Sequence, residues 1–136
     1  MPITKKQYTD IDINFNRNEF TGDISVKLND NAIRQSIMNI ILTRQGERPF
    51  SPRFGVGLHK YLFENLDPLD KATFYRDVAS QLTIHEPRVK LSGITWDDES
   101  EIDSNMLSVT IDFFILKGTE SKPKKDSLKI EISKVR

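Results

Sequence analysis

The 136-residue chain balances 20 lysines and arginines against 20 aspartates and glutamates, is 37% hydrophobic and 29% charged, and contains no cysteine. That length suits one domain with a real core, the charge balance leaves no net field to draw nucleic acid or acidic lipid, and the missing thiols exclude disulfides and thiolate metal sites. No apolar run approaches the roughly 20 residues of a membrane span, and Met1-Pro2-Ile3-Thr4-Lys5-Lys6 lacks the apolar segment of a signal peptide. The expectation is a single domain over 1–136, made in the cytoplasm or joining a particle assembled there, with no nucleic acid and no membrane as partner.

Residues 1–9 are polar and read as a flexible lead-in. Ile11, Ile13 and Phe15 then alternate with Asp10, Asp12 and Asn14, the period of a short half-buried strand. After a turn ending in Thr21-Gly22-Asp23, Ile24, Val26 and Leu28 alternate again, as a second strand or an extended arm. Asn29 and Asp30 are good helix N-caps, and Ile33, Ile37, Ile40 and Ile41 form one apolar stripe, widened by Met38 and Leu42, on a helix running to about Thr43. Gly46 is placed to leave that helix with positive φ, and Arg44 lies near its negative end.

Leu58, Tyr61, Leu62 and Phe63 suggest a helix of about two turns. Asp67-Pro68 starts a longer one, with Leu69, Ala72, Tyr75, Val78, Ala79 and Leu82 as its core stripe, and Pro87 ends it by pushing Glu86 out of the helical region. The period then becomes two: Val89 and Leu91, a phase shift at Gly93 as in a β-bulge, then Ile94 and Trp96. Asp97 to Asn105 reads as an acidic hairpin connection. Leu107, Val109, Ile111, Phe113 and Ile115 are the strongest strand signal, each side chain worth about 1.5–3 kcal/mol on full burial. Lys122-Pro123-Lys124-Lys125 reads as a loop, followed by a strand with Leu128, Ile130 and Ile132 inward. The predicted fold is α+β, with two main helices and a short one on one face of a mostly antiparallel sheet.

Catalytic patterns are weak. His59 and His85 lack a partner at metal-ligand spacing and read as surface or capping residues. Gly55-Val56-Gly57 does not complete a phosphate loop, there is no nucleophile elbow, and Asp97-Asp98-Glu99-Ser100-Glu101 lacks a calcium-loop pattern. Glycoside hydrolysis requires a carboxyl group that stays protonated, whereas Glu86, the one acid placed specially, has Arg88 two residues away to favour its charged form. No catalytic residue, metal ligand or cofactor is assigned.

What remains is Arg44-Gln45-Gly46-Glu47-Arg48-Pro49-Phe50-Ser51-Pro52-Arg53-Phe54-Gly55-Val56-Gly57, where Arg44, Arg48 and Arg53 alternate with Phe50 and Phe54. Arginine and aromatics are enriched at interface anchors. The alternative is that the two phenylalanines plug the edge of the core while the arginines cap helix ends. Glu86-Pro87-Arg88 closes the helical region that this stretch opens.

Taken together, Tyr8-Thr9-Asp10-Ile11-Asp12, Thr21-Gly22-Asp23-Ile24, Thr43 to Phe50, Pro52-x-Phe54-Gly55-x-Gly57, Leu62-Phe63-Glu64 and His85-Glu86-Pro87-Arg88 resemble, in order, the baseplate wedge proteins of gene-product-25 type from contractile-tailed phages. The resemblance implies a structural subunit that connects the helical core bundle of other wedge proteins to the first ring of tail sheath protein and initiates sheath assembly. A hub or tube-proximal baseplate protein is a further implied neighbour. The implied location is the virion tail baseplate, assembled in the host cytoplasm; a bacterial secretion or injection system with the same component is not separable by sequence. Some relatives carry a lysozyme label, so a peptidoglycan-hydrolysing enzyme is the competing function. Glu86, Pro87, Arg88, Arg44, Arg48, Phe50, Arg53 and Phe54 are the expected partner-binding residues. Strand exchange with the sheath is expected at an exposed edge, with Leu128–Ile132 and Ile11–Phe15 the candidates.

Overall fold

The computed structural model describes residues 9–62, 66–97, 106–116 and 122–133. The fold is α+β, as the periodicities predict: two helices with antiparallel sheets. The chain divides into two compact units, Met1–Ser36 and Ile37–Arg136.

In the first unit, strand β1 (Thr9–Ile11) pairs antiparallel with β2 (Val26–Leu28), and helix α1 (Asp30–Leu42) begins. The expected half-buried strand Ile11–Phe15 is corrected here. The strand stops at Ile11, and Ile11, Ile13 and Phe15 are exposed while Asp12 is buried. Hydrogen bonding explains the inversion. The Asp12 carboxylate accepts from the Asn14 backbone N–H (3.1 Å) and Asn16 Nδ2 (3.3 Å), with Lys27 Nζ at 3.5 Å. Gln35 of α1 adds a second set, donating to the Ile11 carbonyl (2.5 Å) and accepting from the Ile13 N–H (3.1 Å). Turning the strand over would place these groups in solvent and strip the turn of its bonds. Ile24 and Val26, on the second predicted strand, are likewise exposed.

Helix α1 carries its stripe as predicted: Ile33, Ile37, Ile40 and Ile41 are all buried. In the second unit a single 3-10 turn, Leu58–Tyr61, replaces the two-turn helix expected there, and Phe63 lies outside the described residues. Helix α2 (Pro68–His85) starts at Asp67, whose carboxylate accepts from the Asp70 N–H at 2.8 Å while the Asp70 side chain answers. Its buried side chains are Phe74, Val78, Gln81 and Leu82, so the predicted stripe is corrected by about one residue of rotation; Leu69, Ala72 and Tyr75 are exposed. Phe74 decides the rotation. Its ring meets Trp96 edge-on at 4.9 Å and Tyr61 at 5.3 Å, a cluster joining α2, the 3-10 turn and the sheet.

Strands β3 (Val89–Trp96), β4 (Met106–Ile115) and β5 (Lys124–Ser133) form an antiparallel sheet in the order β3-β4-β5. The register shift between Leu91 and Gly93 is the predicted bulge. Val109, Ile111, Phe113 and Ile115 are buried along β4, and Ile130 is buried on β5. Lys124 and Lys125 were expected in a loop but pair with Ile115 and Phe114, so the strand begins earlier than its apolar residues do. Lys129 and Glu131 share the outward face, Nζ to Oε1 at 2.9 Å, and that hydrogen bond raises the Lys129 pKa above its usual 10.5. The acidic connection at 98–105 lies outside the described residues. Among the described residues no helix is long and apolar enough to cross a membrane.

Candidate docking site

The fourteen-residue stretch after α1 is a loop that caps the helix it leaves. Thr43 extends the helical bonding by one residue, its N–H donating to the Asn39 carbonyl at 3.0 Å. Gly46 then turns the chain with φ 86°, and its N–H donates to the Pro52 carbonyl at 2.9 Å, closing the loop base. Glu47 braces the exit, its carboxylate accepting from the Arg44 N–H at 2.9 Å. The chain returns so that Val56 and Gly57 donate their N–H groups to the carbonyls of Ile40 (3.0 Å) and Ile41 (3.1 Å). Those carbonyls belong to the last turn of α1, where the helix itself offers no donor.

Helix α2 holds the loop from the other side. The Gln81 carboxamide, buried, accepts from the Gly55 N–H at 3.0 Å and donates to the Arg53 carbonyl at 2.9 Å. An amide with one donor and one acceptor edge matches two nearby peptide groups. Phe54 packs edge-on against His85 with ring centroids 4.8 Å apart, and the Arg48 guanidinium lies 4.5 Å from the Phe54 ring centre. The loop and the end of α2 therefore meet, one residue before Glu86.

At that junction Glu86 leaves the helix with φ −134° and ψ 70°. Its side chain is 3% exposed and both carboxylate oxygens face Arg88: Nε donates to Oε1, and Nη2 donates to Oε2 at 2.7 Å. This is a two-point charge-assisted pair. The Arg88 carbonyl accepts from the Leu116 N–H at 2.7 Å, which ties the motif to the end of β4.

The expected site residues thus fall into two groups. Phe54 and Glu86 are buried and hold their neighbours; Arg44, Arg48, Phe50, Arg53 and Pro87 are exposed, and Arg88 is half-buried. Of the two phenylalanines expected to plug the core edge, Phe54 does so, whereas Phe50 stands fully in solvent. Sequence reasoning missed Gln81, whose signal was a polar residue on the buried line of α2. It also missed Ile84 and Leu116, exposed apolar residues flanking the Glu86-Pro87-Arg88 junction. Neither histidine meets a metal-ligand set; among the described residues no three groups are placed to hold a metal ion.

A family model described as baseplate wedge protein gp25 matches residues 28–119, which contain the whole loop and the Glu86-Pro87-Arg88 junction. The chain belongs to this family. It is 40% identical over 89 residues to the baseplate wedge protein gp25 of Enterobacteria phage T4, covering 65% of this chain and 67% of the relative. The gp25-family fold also recurs in solved structures. A chain of the anti-feeding prophage baseplate superposes with a TM-score of 0.60 at 20% identity, over 90% of this chain and 84% of that one. A Geobacter sulfurreducens structure, provisionally described as a tail lysozyme, gives 0.59 at 24% identity over 76% and 89%. These two likenesses are of fold alone. The chain is a baseplate wedge protein of contractile tail systems.

Proposed function

We propose that this wedge protein is a structural subunit and not an enzyme: it joins the helical core bundle of the other wedge proteins to the first ring of tail sheath and starts sheath polymerisation. The observation that carries the proposal is the fixed junction of loop, α2 and sheet inside the family-matched span. There Glu86 is buried and bonded at both oxygens by Arg88. A carboxylate held so serves rigidity; a hydrolase acid has to meet its substrate. The exposed Arg44, Arg48, Phe50, Arg53 and Pro87, with the half-buried Arg88, form the wedge-facing surface in this proposal, with Phe54 and Glu86 positioning them. A hub or tube-proximal protein would be a further neighbour.

Sheath strands would add to β5, an edge of its sheet among the described residues and ten residues long. The alternative edge, β1, is only three residues long and lies in the two-stranded sheet. The place of action is the tail baseplate of a virion assembled in the host cytoplasm, or the matching part of a bacterial injection particle; genes for capsid or for toxin beside this one separate the two.

Reconstitution of the baseplate with its other wedge and sheath proteins tests the proposal. Glu86→Ala and Arg88→Ala are expected to abolish wedge co-purification and sheath initiation. Intact assembly by both variants, or clearing of peptidoglycan by the pure protein that is lost on Glu86→Gln, refutes it.

A further inference from the structure

We infer that Phe50 is a preformed hydrophobic anchor, seated on binding in an apolar pocket of a wedge partner whose rim carries carboxylates. The inference rests on the wedge-subunit reading above and adds the residue and the chemistry of its receptor.

Phe50 occupies the third position of a turn closed by the Ser51 N–H donating to the Arg48 carbonyl at 3.3 Å, with Pro49 at the second. Its φ is 63°, in the left-handed region. A turn of that kind takes glycine or asparagine at this place because a larger side chain crowds its own backbone. Phenylalanine here is strained, and its side chain is fully exposed, so no contact within the described residues offsets the strain. The ends of the turn are fixed. Its base is closed by Gly46 and Pro52, and its return is held by the Gln81 carboxamide and the end of α1. The fold thus keeps a strained backbone and presents one aromatic side chain to water, as an interface hot spot would before its partner arrives.

Charge identifies the receptor. Residues 44–57 contain three arginines and one glutamate, a local excess of two positive charges, and Arg44, Arg48 and Arg53 are all exposed on the same loop as Phe50. The Glu47 carboxylate, also exposed, accepts from the Arg44 N–H and offsets only one of the three positive charges. An apolar socket with acidic groups at its rim complements this tip in both respects. One ring among three arginines is too little apolar surface to favour a lipid bilayer over such a pocket.

The test compares the wild type with Phe50→Asn, since asparagine enters the left-handed region readily, and with Arg53→Glu. Thermal unfolding of each is measured alongside its affinity for the purified wedge proteins of the same particle. Phe50→Asn is expected to keep or raise Tm while weakening capture on the order of tenfold or more. Arg53→Glu is expected to weaken capture and flatten its salt dependence. Equal capture by wild type and Phe50→Asn overturns the inference and leaves the wedge reading standing. So does a fall in Tm parallel to the loss of capture, which makes Phe50 structural. Phe50-dependent self-association in sedimentation, or Phe50-dependent binding to vesicles of anionic phospholipid, overturns it in favour of a second copy or a lipid surface. No capture by the wild type removes the wedge reading and the inference with it.

Discussion

A Cβ atom built on Gly55 would lie 2.2 Å from the carbonyl oxygen of Thr43 and 2.9 Å from its carbonyl carbon. The returning loop thus crosses the end of α1 backbone against backbone, at a residue whose φ is 102°. Both facts demand glycine. Gly55→Ala is expected to destabilise the protein by roughly 3 kcal/mol or more, since neither the carbonyl nor the backbone angle can yield cheaply. Gly46→Ala has no atom within 4 Å to meet and should cost only about 1 kcal/mol from its positive φ. Urea denaturation of the two variants measures the difference.

Gln81→Leu retains the helix and most of the buried volume but removes both bonds to the loop. The Gly55 N–H and Arg53 carbonyl lose their partner, an expected loss of roughly 1–3 kcal/mol. Hydrogen exchange should show faster amide exchange at Gly55 than at Val56 and Gly57, whose acceptors on α1 remain.

Glu86 and Arg88 should couple strongly. The carboxylate is buried and the guanidinium half-buried, so either single change to alanine is expected to cost about 3 kcal/mol, the lower end for buried pairs. A double-mutant cycle should return well over 1 kcal/mol of interaction energy, against the 0–1 kcal/mol of an exposed pair such as Lys129 with Asp97.

Asp12 gives the first unit an acid limit. The Asn14 backbone N–H above all, with Lys27 and Asn16, holds its carboxyl below the ordinary 3.8, against the opposing effect of burial. The unfolded chain therefore binds the proton more readily than the folded one. The Asp12 contribution is complete above the unfolded pKa and is lost as pH falls through the folded one, a window lying below about pH 4. Asp12→Asn should flatten that part of the pH–stability curve, read from the β1–β2 amide signals by NMR.

Features carried by near neighbours in sequence were legible. The α1 isoleucines, the Asp67-Pro68 start, the Pro87 stop and the Gly93 bulge each depend on residues within a turn or a strand of one another. What was hidden depends on distant partners. Asp12 is turned inward by Gln35 and Lys27, and α2 is rotated by Phe74 meeting Trp96. Gln81 looks like an unremarked polar residue until Gly55 and Arg53 arrive beside it. Lys124 and Lys125 have no strand propensity to show, because β4 already supplies the ladder they join. At the site, the loop and the Glu86-Pro87-Arg88 motif could each be picked out, but which side chains face inward was set by tertiary packing.

The return of the loop onto α1 has a mechanical consequence. A tug applied at Phe50 is divided among the Val56–Ile40 and Gly57–Ile41 bonds at one helix and the two Gln81 bonds at the other. They attach in chain order at Arg53, Gly55, Val56 and Gly57, so the Gln81 bonds should meet the load first. Pulled by that ring, the loop should peel from Arg53 toward Gly57, and without the Gln81 amide it should peel at a lower force.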